Sequence, residues 1–239
     1  MGTLYGSDSV SSDSINTFDP MCFQGERLSY HLVYQGIVAA DSRIRLQNQD
    51  SLTHLTWDVK TKPLISLLFH IENRYEIVID AKRAQLLQVH KTINQTNIQQ
   101  HWRINYDWPA LKARTNQSFE WPIVDGCAHI LSLLYHLRGN YSNGDHVSYT
   151  LDVESHLWHA TGLVEPSHET NAQYKVILSF SPVHDPQPRA WKTDLLTNRL
   201  AGTGSKLTLH FGGEPRYVPV LIQFGDQLEM RMTESRFGD

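Results

Sequence analysis

The chain has 239 residues, 40% of them hydrophobic and 19% charged, with a formal net charge of −4. That length suits one large β domain, or at most two small ones, and buries a real core. A slightly acidic balance without a basic run gives no footprint for nucleic acid. No run of about 18 apolar residues exists to make a transmembrane helix.

The first twenty residues, MGTLYGSDSVSSDSINTFDP, are rich in Ser and Asp, lack any period and offer little to bury. They lack a basic-then-apolar secretion signal. Residues 1–22 are expected to be a disordered leader, and residues 23–239 a single β domain.

Beyond Phe23 the chain alternates with period two, the signature of strands with one dry and one wet face. Leu55, Trp57 and Val59 share a face, as do Tyr75, Ile77 and Ile79. In IQQHWRINYDW, Ile98, Trp102, Ile104, Tyr106 and Trp108 point one way. Val147, Tyr149, Leu151 and Val153 repeat the pattern. So do Tyr174 to Phe180, Leu207 to Phe211, Val218–Phe224 and Leu228–Met232. About ten to twelve strands joined by short polar turns predict antiparallel sheet rather than βαβ units. Gln35-Gly36, Asn143-Gly144, Gly212-Gly213 and Gly225-Asp226 mark turns. Ser181–Arg189 carries three prolines and reads as a loop, and Asp194–Ser205 as a short helix or loop.

One segment breaks the alternation. In DGCAHILSLLYHLRG, Cys127, Ile130, Leu131, Leu134 and Leu137 fall on one helical stripe. Asp125 is placed to N-cap, Arg138 to sit in the last turn, and Gly139 to end the helix. The spacing predicts a central α-helix at about 125–138. So wide an apolar face needs the concave side of a curved sheet as cover. The fold class is therefore mainly β, a single-domain antiparallel curved sheet, β-roll or barrel-like, with one central helix.

Motifs for chemistry are sparse. No phosphate loop, dinucleotide fingerprint, GxSxG elbow or HExxH is present, so no cofactor is expected. His156 and His159 lie three apart, and in a strand their rings diverge. His129 and His136 lie two helical turns apart, about 10.5 Å, too far for one ion, and read as polar residues on the helix's outer flank. No metal site is expected. Cys127 and His129, two apart on a helix, do not face each other. Cys22 and Cys127 match no zinc spacing, and their pairing stays open. No catalytic residue is assigned. Glu26 and Glu76 are the carboxylates a glycan hydrolase could use.

Six tryptophans and ten tyrosines are the richest resource. Tyr30, Trp57, Tyr75, Trp102, Tyr135 and Trp158 are the candidate ligand-binding residues. They either line a cavity for an apolar ligand or fill the interior of a wide sheet.

Several segments together resemble the DUF3108 family of bacterial proteins of unknown function. GERLSYHLVYQGIVAAD (Gly25–Asp41) is similar to its opening hairpin through Gly25, Glu26, Leu28, Tyr30, Gly36, Ile37 and Ala39. It departs at Ala40 and Asp41, where a small residue or glycine is usual. ENRYEIVID (Glu72–Asp80) resembles a charged central strand. The helix segment matches through Asp125, Ser132, Leu134, Tyr135, Leu137 and Arg138, and the Gly144-Asp145 turn follows. RYVPVLIQF (Arg216–Phe224) resembles the closing strand. The resemblance covers roughly residues 25–235. It implies an exported, periplasmic protein that has lost a signal peptide, a β-roll with an inserted helix, and no established activity or catalytic residue.

These readings converge on a non-enzymatic envelope protein that binds a hydrophobic small molecule, such as lipid, or an envelope partner. A structural or assembly factor with a solid core and a glycan hydrolase are the alternatives.

Overall fold

The computed structural model describes residues 19–153, 155–184 and 205–238. Among these, fifteen strands form one sheet. In chain order they are β1 (Arg27–Tyr34), β2 (Ile37–Gln49), β3 (Leu52–Thr61), β4 (Glu72–Asp80), β5 (Gln85–Gln95), β6 (Ile98–Asp107), β7 (Lys112–Thr115) and β8 (Glu120–Pro122). After β9 (Ala128–His129) come β10 (His146–Val153), β11 (His156–Pro166), β12 (Tyr174–Pro182), β13 (Lys206–Phe211), β14 (Pro219–Phe224) and β15 (Leu228–Arg236). A one-turn helix α1 (Pro63–Ser66) follows β3, and α2 (Ile130–His136) follows β9.

The order across the sheet is β8-β7-β6-β5-β4-β3-β2-β1-β15-β14-β13-β12-β11-β10-β9. This is the sequence order rotated. Neighbours in sequence are neighbours in space, except that β1 pairs with β15 and the sheet is open between β8 and β9. Every pair is antiparallel but one, the short parallel pairing of Ala128 and His129 with Leu151 and Asp152. Register shifts at Ser29/Tyr30, Leu32/Val33, Val78/Ile79 and His210/Phe211 bend the sheet. The mainly β, antiparallel and curved sheet expected from the alternation is what forms.

The sheet curls around α2. Ile44 and Trp57 of β2 and β3 meet Ile130, Leu131 and Leu134 of the helix, and so do Leu207, Ile222 and Met230 from the other half of the sheet. Ile130 to Tyr135 are all buried, so the helix has no wet face. Each large apolar side chain taken from water contributes roughly 1.5–3 kcal/mol.

Several expectations need correction. The helix is seven residues long rather than spanning 125–138. Gly126 takes φ +71° in a turn, and Ala128–His129 join β10 as strand, so helical dihedrals start only at Ile130. His129, not Asp125, is the N-cap: its Nδ1 accepts the Leu131 N–H at 3.2 Å, while Ser132 Oγ accepts the His129 N–H at 3.1 Å. Leu137 is the C-cap, which leaves Arg138 and Gly139 beyond the helix. His129 is buried rather than on a wet flank, whereas His136 at the helix end is half-buried. The strands number fifteen rather than ten to twelve; β7, β8 and β9 are too short to show a period. Ser181 and Pro182 still belong to β12 and Val183 and His184 follow as a bend, whereas residues 185–189 and most of Asp194–Ser205 lie outside the described residues. The leader also falls largely outside them, but Pro20–Phe23 already form a 3₁₀ turn capped by Asp19.

Candidate functional site

A buried ion pair joins three distant parts of the chain. Arg138, just past α2, donates to both carboxylate oxygens of Glu26 at 2.5 and 2.8 Å. The two side chains are 1% and 0% exposed. The same guanidinium donates twice more, at 2.9 and 2.8 Å, to the carbonyl of Arg216. Its central carbon lies over the Phe23 and Tyr135 rings, 4.2 and 5.1 Å from their centroids. Burial, with the Glu26 charge beside it, pushes the Tyr135 phenol well up. Tyr30 donates to Pro219 O at 2.9 Å. The opening hairpin, the helix and the closing strand, separate motifs in sequence, thus meet at one point. Sequence reasoning missed this pairing; the only signal was an acidic residue at the head of one motif and a basic residue at the end of the other.

Tyrosines finish the helix at the same place. Tyr141 and Tyr149 donate to His136 O at 3.3 and 3.4 Å, and Tyr174 to Leu137 O at 2.9 Å. These carbonyls have no intrahelical partner, so side-chain donors satisfy them.

The six aromatic candidates do not assemble into one site. Trp57 and Tyr75 stack with centroids 4.9 Å apart. The indole of Trp57 donates to Ser42 Oγ at 2.7 Å, and the Tyr75 hydroxyl accepts from Asn73 at 2.9 Å. Tyr30 and Tyr135 flank the ion pair. Trp158 is buried on β11, with no partner for its Nε1. Trp102 is half-buried on β6 and donates to Gln100 at 3.0 Å.

Between helix and sheet the remaining void is about 10 Å³, walled by apolar side chains. That is the lower limit for a single water molecule. Of the six aromatics, only Trp57 borders it. Two larger hollows are open and mostly polar. One, about 790 Å³, lies among Gly36, Lys206, Gly225 and Glu229; the other, about 690 Å³, lies among Gln47, His54, Glu76, Gln88 and His90.

The other candidates for chemistry are dispersed. Glu26 is wholly buried against Arg138, whereas Glu76 faces solvent and accepts from Arg74 at 2.6 Å. Each carboxylate is thus engaged by its own arginine. Both cysteines are free, Cys22 exposed and Cys127 buried. Burial, with Asp152 and Asp125 nearby, pushes the Cys127 thiol up to about 12, which disfavours the thiolate. Burial lowers His136 to about 4, so its ring is neutral. Among the described residues no group of three His, Cys, Asp or Glu could hold a metal ion.

Asp152 does structural work where the sheet is open. Its Oδ2 accepts from Tyr106 of β6 at 2.8 Å and from Trp121 of β8 at 3.0 Å. A carboxylate on β10 thereby ties one edge region of the sheet to the other.

Fold and site together define a β-barrel-like protein whose curved sheet packs against an internal helix. A solved structure of a beta-barrel-like protein of the domain of unknown function DUF1849, from Brucella abortus, is similar across 91% of this chain and 99% of its own, with a TM-score of 0.52 and 8% identity. At that identity the likeness is one of fold. No family model matches the chain, and no curated protein matches it.

Proposed function

We propose that the chain is a non-enzymatic structural or assembly protein of the bacterial envelope, periplasmic and related to the DUF3108 proteins, that works through its outer surface. The observation that carries this reading is the close packing of the sheet against α2. A pocket for a small molecule needs roughly 300 Å³ or more, and the void beside α2 is about 10 Å³. Five of the six aromatic candidates, all but Trp102, belong to the buried core, which supports this reading. Native mass spectrometry of the purified full chain, with and without added phospholipid, tests it. The expected spectrum is the bare polypeptide mass in both cases. A one-to-one lipid adduct would overturn the solid-interior reading and restore that of an enclosed ligand.

A further inference from the structure

The turn after β3 reads KPLISLLFH. Leu64, Leu67 and Leu68 are 80%, 84% and 85% exposed, more than any other large hydrophobic side chain among the described residues. Single exposed apolar residues are ordinary, but three leucines on one projecting turn are not. Their exposure does not come from a loose backbone. Ser66 and Phe69 donate to Lys62 O and Ile65 O, both at 2.8 Å. Ser66 Oγ and His70 Nδ1 are 2.9 Å apart, and the His70 N–H reaches Thr96 Oγ1 at 2.9 Å. Polar bonds fix the base of the turn, and the leucines contribute nothing visible to the fold.

The surroundings extend the apolar tip. The Lys62 N–H donates to Ala39 O at 2.9 Å, which sets the start of β2 beside the turn. Ile37 and Val38 there are themselves exposed. The nearby charges cancel: Lys60 pairs with Glu72 at 2.6 Å and Lys62 with Asp41 at 2.7 Å. The apolar tip is thus bordered by paired charges of no net sign. A groove-bearing partner would recognise one or two anchors in defined pockets. A zwitterionic lipid surface needs only apolar area and the absence of uncompensated charge.

We infer that the Pro63–Phe69 turn docks the barrel on a lipid bilayer, its leucines entering the headgroup–acyl boundary of uncharged lipid. This rests on the outer-surface reading above, since a barrel that enclosed its ligand would not need such a tip. Each leucine transferred from water favours the bound state by about tenfold or more.

The test is sedimentation of the full chain with phosphatidylcholine vesicles, with and without phosphatidylglycerol, at low and high salt. Binding to both vesicle types, insensitive to salt, is expected. Leu67→Ser with Leu68→Ser should weaken it about a hundredfold while leaving the melting temperature unchanged. No binding to either vesicle overturns the inference. So does binding that the double substitution leaves intact, or binding confined to anionic vesicles and lost in salt. A vesicle-free dimer abolished by the double substitution would overturn it too, assigning the leucines to a second copy of the chain. None of these outcomes touches the solid interior, which the lipid-adduct measurement tests separately.

Discussion

Removing either partner of the Glu26–Arg138 pair should be among the most damaging single changes in the protein. Both side chains are out of water, so losing one leaves a buried charge, at a typical cost of about 3–5 kcal/mol. The two losses are not equal. In Glu26→Gln the guanidinium keeps the Arg216 carbonyl and the faces of Phe23 and Tyr135. In Arg138→Met the carboxylate loses both charge-assisted bonds, and the Arg216 carbonyl loses two donors. Arg138→Met should therefore be the worse variant. For a chain of this size each kcal/mol moves the melting temperature by about 2–4 °C, so a fall of about 10 °C is expected. Urea denaturation followed by tryptophan fluorescence measures the cost, and Glu26→Gln combined with Arg138→Met completes the cycle. The combined variant should be more stable than Arg138→Met alone, because no charge is then stranded. Single losses below about 1 kcal/mol, or strictly additive effects, would refute the account.

The His136 ring is neutral in the fold, with its pKa near 4, whereas an unfolded histidine titrates near 6.5. The unfolded state binds more protons between those values, so stability is whole above about pH 6.5 and falls by about 3 kcal/mol as pH drops towards 4. His136→Gln should remove that part of the slope in denaturation profiles across this range; parallel profiles would count against it. At Gly162 an added Cβ would lie 2.7 Å from Leu178 Cδ2 and 2.8 Å from Ile177 O. Gly162→Ala should accordingly cost about 1–3 kcal/mol, read as a shift in the urea midpoint. A thiol reagent should label one cysteine in the native protein, Cys22, and two in denaturant, because Cys127 is buried. Labelling of Cys127 in the native state would show that the turn before α2 opens.

The sheet was legible because alternation survives wherever a strand has one wet face. Trp57 and Tyr75 were placed inward by period alone, and they stack there. The helix was legible in kind but not in length. Its apolar stripe continues through Cys127, yet the backbone there is spent on a left-handed Gly126 and a parallel bridge, which no local period reports. Asp152 defeats alternation in another way, since it is buried between Leu151 and Val153, themselves both buried. The end of β10 is covered on both faces. The Glu26–Arg138 contact spans 112 positions, and only the rotation of the sheet brings it about. The leucine turn could not be told from a core segment by its residues, because exposure is a property of the fold.

The rotated strand order also bears on how the chain is made. Synthesis runs from the N-terminal side, so β1 to β8 can zip up as successive hairpins while the remainder is still being added. Throughout that time the outer edge of β1 stands open, a template for any stray strand. Its proper partner, β15, follows every other described strand in the chain. Closure is therefore a late event that waits for β15. Gly25 and Gly238 lie against each other, since a Cβ on the first would sit 2.8 Å from the Cα of the second. Joining the chain across that contact and opening it at Asp125-Gly126, between β8 and β9 where the sheet is already open, would turn the seam into an ordinary hairpin, and no early strand would wait for a late one.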